Sequence, residues 1–141
     1  MYFNLFFYIN GHLYVNDPQG GTVNKLSWSG PREKSASLVK TLKFPKGFFP
    51  DNLSVLEDGK GFLVAGWANA KEVLDKTPDL RFLRSLAFSI DFDLNEQSTR
   101  LVLKDYDRQI SASVAADFSN DEKIGLFVGS PHRPLNLCTT D

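Results

Sequence analysis

A short pattern recurs three times in this sequence and constrains the fold more than any other feature. In each copy a glycine is followed, after one or two residues, by an apolar strand-like run that ends in valine, at Gly11–Val15, Gly61–Val64 and Gly125–Val128. Another strand-like run and an acidic turn precede the second and third copies, at 52–59 and 113–121. Sheet units that repeat every 40–50 residues or so are typical of β-propeller blades. The sequence therefore predicts an all-β fold, a partial β-propeller.

The length of the chain limits the number of blades. At roughly 45 residues a blade, 141 residues make about three four-stranded blades, whereas a propeller closes with about four to eight. We expect one partial propeller domain with units at 1–45, 46–106 and 107–141. The apolar, aromatic start at 1–9 resembles the middle of a β-protein and suggests truncation. It lacks the basic leader of a signal peptide and is too short to span a bilayer.

Most of the chain has strand patterns, and one segment favours a helix. The clearest strand is 86–94, where apolar residues alternate on one face. The runs 12–17 and 22–28 flank a Pro-Gln-Gly-Gly turn and predict a hairpin. Helix-forming residues at 69–76 predict one short helical insertion, which can continue through 80–84.

Composition and charge exclude two classes of partner. The chain has 16 Lys and Arg against 17 Asp and Glu, a net charge of -1, and no basic cluster. We therefore expect no binding to nucleic acid and no membrane span. The single cysteine, Cys138, excludes a disulfide within the chain.

Asp51 and Asn52 are the candidate metal ligands. They stand side by side after Pro50, at the mouth of the strand predicted from Leu53. Their oxygens suit a hard cation such as calcium, which takes about six to eight oxygen ligands. The alternative is a Pro-Asp-Asn turn in which the Asx side chains bond their own backbone.

Other candidate residues each have a structural alternative. His132, in a loop after the last apolar strand, is a candidate for substrate contact or proton transfer, and the alternative is an exposed loop histidine. Trp67 could line a pocket, although packing is the commoner role of a large aromatic residue. His12, at a strand start, is expected to be structural. No motif for a nucleophile is present, so no catalytic residue is predicted from the residues alone.

Several segments resemble the paraoxonase/arylesterase family and its gluconolactonase-like and strictosidine-synthase-like relatives. The run Phe49–Val55, followed by an acidic glycine turn and Phe62–Gly66, carries the resemblance. The ending Ile124–Cys138 is similar to the last blade of that family, and Leu13–Asp17 with Val23–Leu26 resembles the blade before it. The similarity runs through most of the chain but corresponds only to the C-terminal part of the family. It implies a six-bladed propeller with calcium in its central tunnel.

The resemblance also implies roles for particular residues. Asp51 and Asn52 match the family's Asp-Asn pair, which coordinates the catalytic calcium. Cys138 matches a cysteine that bridges to the N-terminal region of paraoxonases, and its partner is absent from this sequence. The family's histidine dyad and other calcium ligands lie in blades that this sequence does not contain, and Trp67-Ala68-Asn69 stands where paraoxonases have a pocket histidine.

The implied function is the C-terminal part of a calcium-dependent hydrolase of small esters or lactones, with weak calcium binding and no activity as an isolated chain. One alternative is a non-catalytic propeller fragment or interaction module, which would self-associate through its open blade edges. Another alternative is a small β-sandwich that binds ligands without catalysis.

Overall fold

A computed structural model describes residues 6–32, 34–75, 83–107, 114–117, 125–130 and 133–139 of the chain. In these residues an α-helix, α1 (Ala70–Leu74), and a short 3-10 helix (Glu96–Ser98) accompany eleven strands. The strands are β1 Phe6–Ile9, β2 His12–Asp17, β3 Thr22–Ser27, β4 Ser37–Lys43, β5 Phe49–Val55, β6 Gly61–Trp67, β7 Ser85–Asp91, β8 Arg100–Asp105, β9 Val114–Asp117, β10 Gly125–Ser130 and β11 Arg133–Thr139.

The strands form antiparallel sheets in chain order. β1-β2-β3-β4 form the first sheet, β5-β6-β7-β8 form the second, and β9-β10-β11 form a third within the described residues. The glycine-led pattern lies on β2, β6 and β10, each of which pairs with a strand on either side. The prediction of a mostly β fold with one short helix is confirmed.

The predicted hairpin is present in the first sheet. β2 and β3 pair from His12 opposite Ser27 to Asp17 opposite Thr22. Gly21 closes the turn with a φ of 65°, a left-handed conformation that glycine adopts without steric cost. The turn residues therefore set the register of both strands.

The predicted strand 86–94 is shorter than its alternation suggests. β7 ends at Asp91, whose Oδ1 accepts the N–H groups of Asp93 and Asn95 at 3.0 and 3.1 Å. Leu94 takes a φ of 53°, which no strand residue has. These hydrogen bonds to the Asp91 side chain replace the strand-to-strand hydrogen bonds of the sheet and turn the chain away from it. The apolar face still contributes to the core, through Leu86, Phe88, Ile90 and Leu94.

An aromatic core joins the first two sheets. The Tyr14 ring stacks on Phe7 at 4.8 Å and lies 5.3 Å from Phe62, while the Tyr14 hydroxyl donates to the Phe92 carbonyl at 2.6 Å. Tyr14 and Phe62 are at most 1% exposed. Because these rings come from both sheets, their packing determines how the sheets dock.

A smaller core lies on the other face of the second sheet. It contains Leu63, Ala65, Ala87 and Ala115, the last from β9 of the third sheet. Every residue of β6 is buried, as expected for a strand covered on both faces.

The helix is confirmed over Ala70–Leu74. Asn69 caps its start, since its Oδ1 accepts the N–H of Lys71 at 3.0 Å. Residues 80–82 of the expected continuation lie outside the described residues, and the two that follow, Leu83 and Arg84, are not helical. In the part of the chain that the structure describes, no helix has the length and apolar character needed to cross a membrane.

Candidate functional site

Asp51 and Asn52 lie inside strand β5, so the alternative of a Pro-Asp-Asn turn is wrong. Pro50 pairs with Gly66 and Asn52 pairs with Ala65, which leaves Asp51 as the extra residue of a β-bulge. A proline is tolerated here because β5 is the edge strand of its sheet and the bulge interrupts the ladder. The bulge therefore places Asp51 where the regular pairing fails.

Asn16 lies near the C-terminal end of β2, in the first sheet, and contacts Asp51 in the second sheet. Its Nδ2 atom donates to the main-chain carbonyl oxygen of Asp51 at 2.9 Å. Both residues are buried, Asp51 at 3% and Asn16 at 5% exposure. A carbonyl oxygen only accepts hydrogen bonds, so the amide atom that faces it must be the nitrogen. Oδ1 is therefore the acceptor on the other side of that amide.

The Oδ1 atom of Asn16 receives no hydrogen bond from the part of the chain that the structure describes. Leaving a buried acceptor unsatisfied costs about 1–3 kcal/mol, so such groups are few in folded proteins and are often explained by an ion, a water or a function. Here the group belongs to a residue that is hydrogen-bonded to the main chain of Asp51, whose carboxylate is also buried. This combination favours a cation at the junction of the two sheets.

The chemistry of the donor set fits a hard cation. Asp51 provides a carboxylate and Asn16 an amide oxygen, whereas Asn52 pairs with Ala65 of the smaller core and therefore faces the other side of the sheet. No group of three or more His, Cys, Asp or Glu with a metal-site arrangement occurs in the described ranges. The candidate set differs because one of its two members is an amide. We call Asn16 and Asp51 the oxygen cluster; the predicted ligand Asn52 is not part of it.

Sequence reasoning missed Asn16, although a signal was present. Residues two apart on a strand share a face, and Tyr14 and Asn16 are both buried. A polar residue at an inward position of an alternating strand needs a partner or a role. The alternating pattern of β2 therefore marked Asn16 as a buried polar residue, but nothing in the sequence connected Asn16 to Asp51.

The other predicted site residues lie apart from this cluster or outside the description. His132 lies outside the described residues, so its role stays a prediction. Cys138, on β11, is half-buried as a free thiol against the smaller core. His12 is half-buried at the start of β2, with Nδ1 3.0 Å from the carbonyl oxygen of Asn10.

Trp67 is buried at the end of β6 and packs against Phe49, with ring centroids 5.9 Å apart. In the described part of the chain its Nε1 has no hydrogen-bond partner. The ring is 6% exposed, so packing is its main role. Since Phe49 and Trp67 pair at the start of β5, the indole lies at the same end of the sheet as Asp51.

A separate charged pair lies toward the opposite end of the second sheet. Lys25 donates from Nζ to Asp93 at 3.1 Å and lies 5.9 Å from the centre of the Tyr14 ring. Burial lowers the pKa of Lys25, but the hydrogen bond to Asp93 and the neighbouring oxygens outweigh it, so the pKa is raised. Burial raises the pKa of the Tyr14 hydroxyl. These groups join the sheets and are not part of the oxygen cluster.

No protein-family model matches this chain, and no curated protein sequence is significantly similar to it.

Proposed function

We propose that this chain is the C-terminal part of a calcium-dependent hydrolase of carboxylic esters or lactones, of the paraoxonase type. The observation that carries the proposal is the unsatisfied, buried Oδ1 of Asn16 beside the buried Asp51. The resemblance of the Phe49–Val55 segment to paraoxonases supports calcium as the cation. Calcium bound there would polarise a substrate carbonyl oxygen.

The arrangement of the sheets supports a propeller as the architecture. Each four-stranded sheet is built from consecutive antiparallel strands, and neighbouring sheets pack face to face through apolar cores. These are properties of propeller blades. The chain would then supply about three blades of a six-bladed ring.

The oxygen cluster would hold calcium weakly in this chain alone. The two carboxylate oxygens of Asp51 and the one amide oxygen of Asn16 are fewer than the six to eight or so that calcium takes, so water or further protein groups must supply the rest. A dissociation constant of about 1 mM, at the weak end of protein calcium sites, is the expectation. Addition of 10 mM calcium would then stabilise the fold by about 1.4 kcal/mol.

The test is thermal unfolding of the full chain, freed of metal, with calcium or magnesium at equal ionic strength. We expect calcium to raise the midpoint and magnesium to do so less, because magnesium demands stricter octahedral geometry. Asp51→Asn should abolish the calcium shift. Asp58→Asn, in an exposed turn, is the matched control and should keep it. If calcium does not shift the unfolding midpoint, or if Asp51→Asn and Asp58→Asn reduce that shift equally, the proposed calcium site is wrong.

Hydrolysis is tested separately with phenyl acetate and a small lactone, with and without a calcium chelator. Calcium-dependent turnover that Asp51→Asn removes would support the hydrolase. Binding of calcium without turnover, in the isolated chain and in a longer natural product that contains it, would reject the hydrolase and leave a metal-binding module.

A second candidate function is a protein-interaction module. β4 is an edge strand, and its Leu38 and Val39 side chains are 64% and 53% exposed. Exposed apolar edges pair with other chains, although Lys40 and Lys43 on the same strand oppose this. Val39→Lys should reduce self-association in sedimentation velocity, whereas Leu74→Lys, on the exposed face of α1, should not. A chain that stays monomeric at all concentrations would contradict this candidate's self-association.

A further inference from the structure

A cavity of about 370 Å³ lies where the first sheet meets the second. Its walls are the β2–β3 turn at Gly20 and Gly21, the connection from β4 to β5, and Ala70 at the start of α1. The volume falls within the range of small-molecule sites, about 300–1,000 Å³. The cavity is therefore large enough for a small organic ligand.

One wall of the cavity is aromatic and tightly packed. Phe44 and Phe48 line it and are 4% and 2% exposed. Their rings meet edge to face at 5.0 Å, and both contact Phe88 of β7, at 5.3 and 5.1 Å. Because these rings are anchored in the main core, the small part of each that reaches the cavity is held in a fixed position.

The backbone around the cavity is also held in place. The Phe44 N–H donates to the Gly21 carbonyl at 3.0 Å, and the Ala70 N–H donates to the Gly47 carbonyl at 2.6 Å. Gly47 has a φ of 93°, a conformation that other residues rarely adopt. The walls thus come from three segments tied to one another by hydrogen bonds.

Two lysines, Lys43 and Lys46, line the same cavity. Neither ammonium group makes a hydrogen bond or ion pair with the residues that the structure describes. The acid nearest the turn, Asp17, accepts the Gly20 N–H at 2.9 Å through Oδ1. Two lysine side chains therefore border the cavity, with one carboxylate, that of Asp17, at the neighbouring turn.

The cavity lies at the same end of the sheets as the oxygen cluster. Phe48 precedes Asp51 by three residues, roughly 10 Å along an extended strand. On the other wall, Asn16 precedes Gln19 by the same interval. A ligand in the cavity would thus lie near the junction of the two sheets.

We propose that this cavity binds a small organic anion, with its carboxylate or phosphate group on Lys43 and Lys46 and its apolar part against Phe44 and Phe48. The lysines and the apolar wall together suit such a molecule, because the two lysines have no ion-pair partner among the described residues and the wall beside them is apolar. The inference does not depend on calcium or on hydrolysis. It stands or fails separately from the proposed function.

The experiment is an NMR titration of the metal-free, 15N-labelled chain in the presence of a chelator. The probes are benzoate, phenyl phosphate and the neutral benzyl alcohol. We expect both anions to shift the amide signals of Gly20 and Gly47, with dissociation constants at least about fivefold lower than that of benzyl alcohol. The ratio between benzoate and phenyl phosphate then identifies the preferred anionic group.

Lysine variants test whether the preference for anionic ligands comes from the lysines that line the cavity. Lys43→Gln and Lys46→Gln should each weaken binding of the anions by about fivefold and leave benzyl alcohol unaffected. Lys60→Gln is the matched control, since Lys60 is exposed in the β5–β6 turn at the other end of the sheet. Equal binding of charged and neutral probes, an equal effect of Lys60→Gln, or no shift at Gly20 and Gly47 would each overturn the proposal. All these lysines are exposed, so the variants should keep the fold.

Discussion

The Nδ2 atom of Asn16 donates a hydrogen bond to the main-chain carbonyl oxygen of Asp51, 2.9 Å away. The bond joins the first sheet to the second beside the bulge of β5. It also fixes the direction of the Asn16 amide, so that its oxygen is an available acceptor in a buried place. One contact thus connects the docking of two sheets with the candidate cation site.

Asn16→Ala should lower the free energy of unfolding by about 1–2 kcal/mol in the absence of metal, because it removes a buried hydrogen bond. Urea denaturation followed by circular dichroism measures this. Asn24→Ala is the control: its Oδ1 accepts from Thr41 at 2.6 Å at an exposed site, so the loss should stay below about 0.5 kcal/mol. Equal losses would mean that the contact with Asp51 does not stabilise the sheet junction.

Gly66→Ala should disrupt the bulge that holds Asp51. A Cβ atom at Gly66 would collide with the carbonyl oxygen of Phe49 and lie 2.9 Å from Cα of Pro50. We expect a loss of about 1–3 kcal/mol in the free energy of unfolding, as in other overpacked sites, and a smaller calcium shift. In contrast, Gly59→Asn should change little, since its Cβ position is open and asparagine tolerates a φ of 66°. A stable Gly66→Ala variant would contradict the close approach of β5 and β6.

Phe62→Ala tests the aromatic core between the sheets. Phe62 is fully buried and its ring contacts Phe7, Tyr14 and Phe92 at 5.1, 5.3 and 6.0 Å. Truncation should cost about 3–5 kcal/mol in chemical denaturation. Phe6→Ala, where the ring is 62% exposed, should cost less than about 0.5 kcal/mol. Similar costs for the two would argue against this core.

Asp91→Asn should flatten the acid dependence of stability. Burial raises the pKa of Asp91, but hydrogen bonds from the backbone and side chain of Asn95 outweigh it, so the pKa lies below the usual value of an aspartate. A carboxyl with a lowered pKa in the folded state stabilises the fold above its unfolded pKa, and this contribution is lost as the pH falls from about 4 through the folded pKa.

The measurement is the urea midpoint at pH 7 and at successive values below pH 4. The wild-type protein should lose more stability over this range than Asp91→Asn. Asp58→Asn, in the exposed β5–β6 turn, should follow the wild type. A steeper acid loss in Asp91→Asn than in the wild type would show that the sign is wrong.

Much of the secondary structure followed from local sequence. The alternation in 86–94 identified the core-facing residues of β7, and the turn residues between 12–17 and 22–28 identified the hairpin. The end of β7 was missed because Asp91 bonds to the backbone of the next residues, a choice that alternation does not reveal. The Pro-Asp-Asn turn was a plausible alternative because proline is common in turns. It is wrong because this segment pairs with β6 and forms an edge strand, which the local sequence does not reveal.

The sequence by itself determined the β-rich class, the short helix within 69–76 and the faces that strands bury, because these depend on residues close together in the chain. The tertiary structure alone decided that Asn16 meets Asp51, 35 residues away. It also brought Lys43 and Lys46 beside the turn at Gly20. Such contacts depend on how two sheets dock, and docking follows from the joint packing of rings such as Tyr14 and Phe62, which no local pattern encodes.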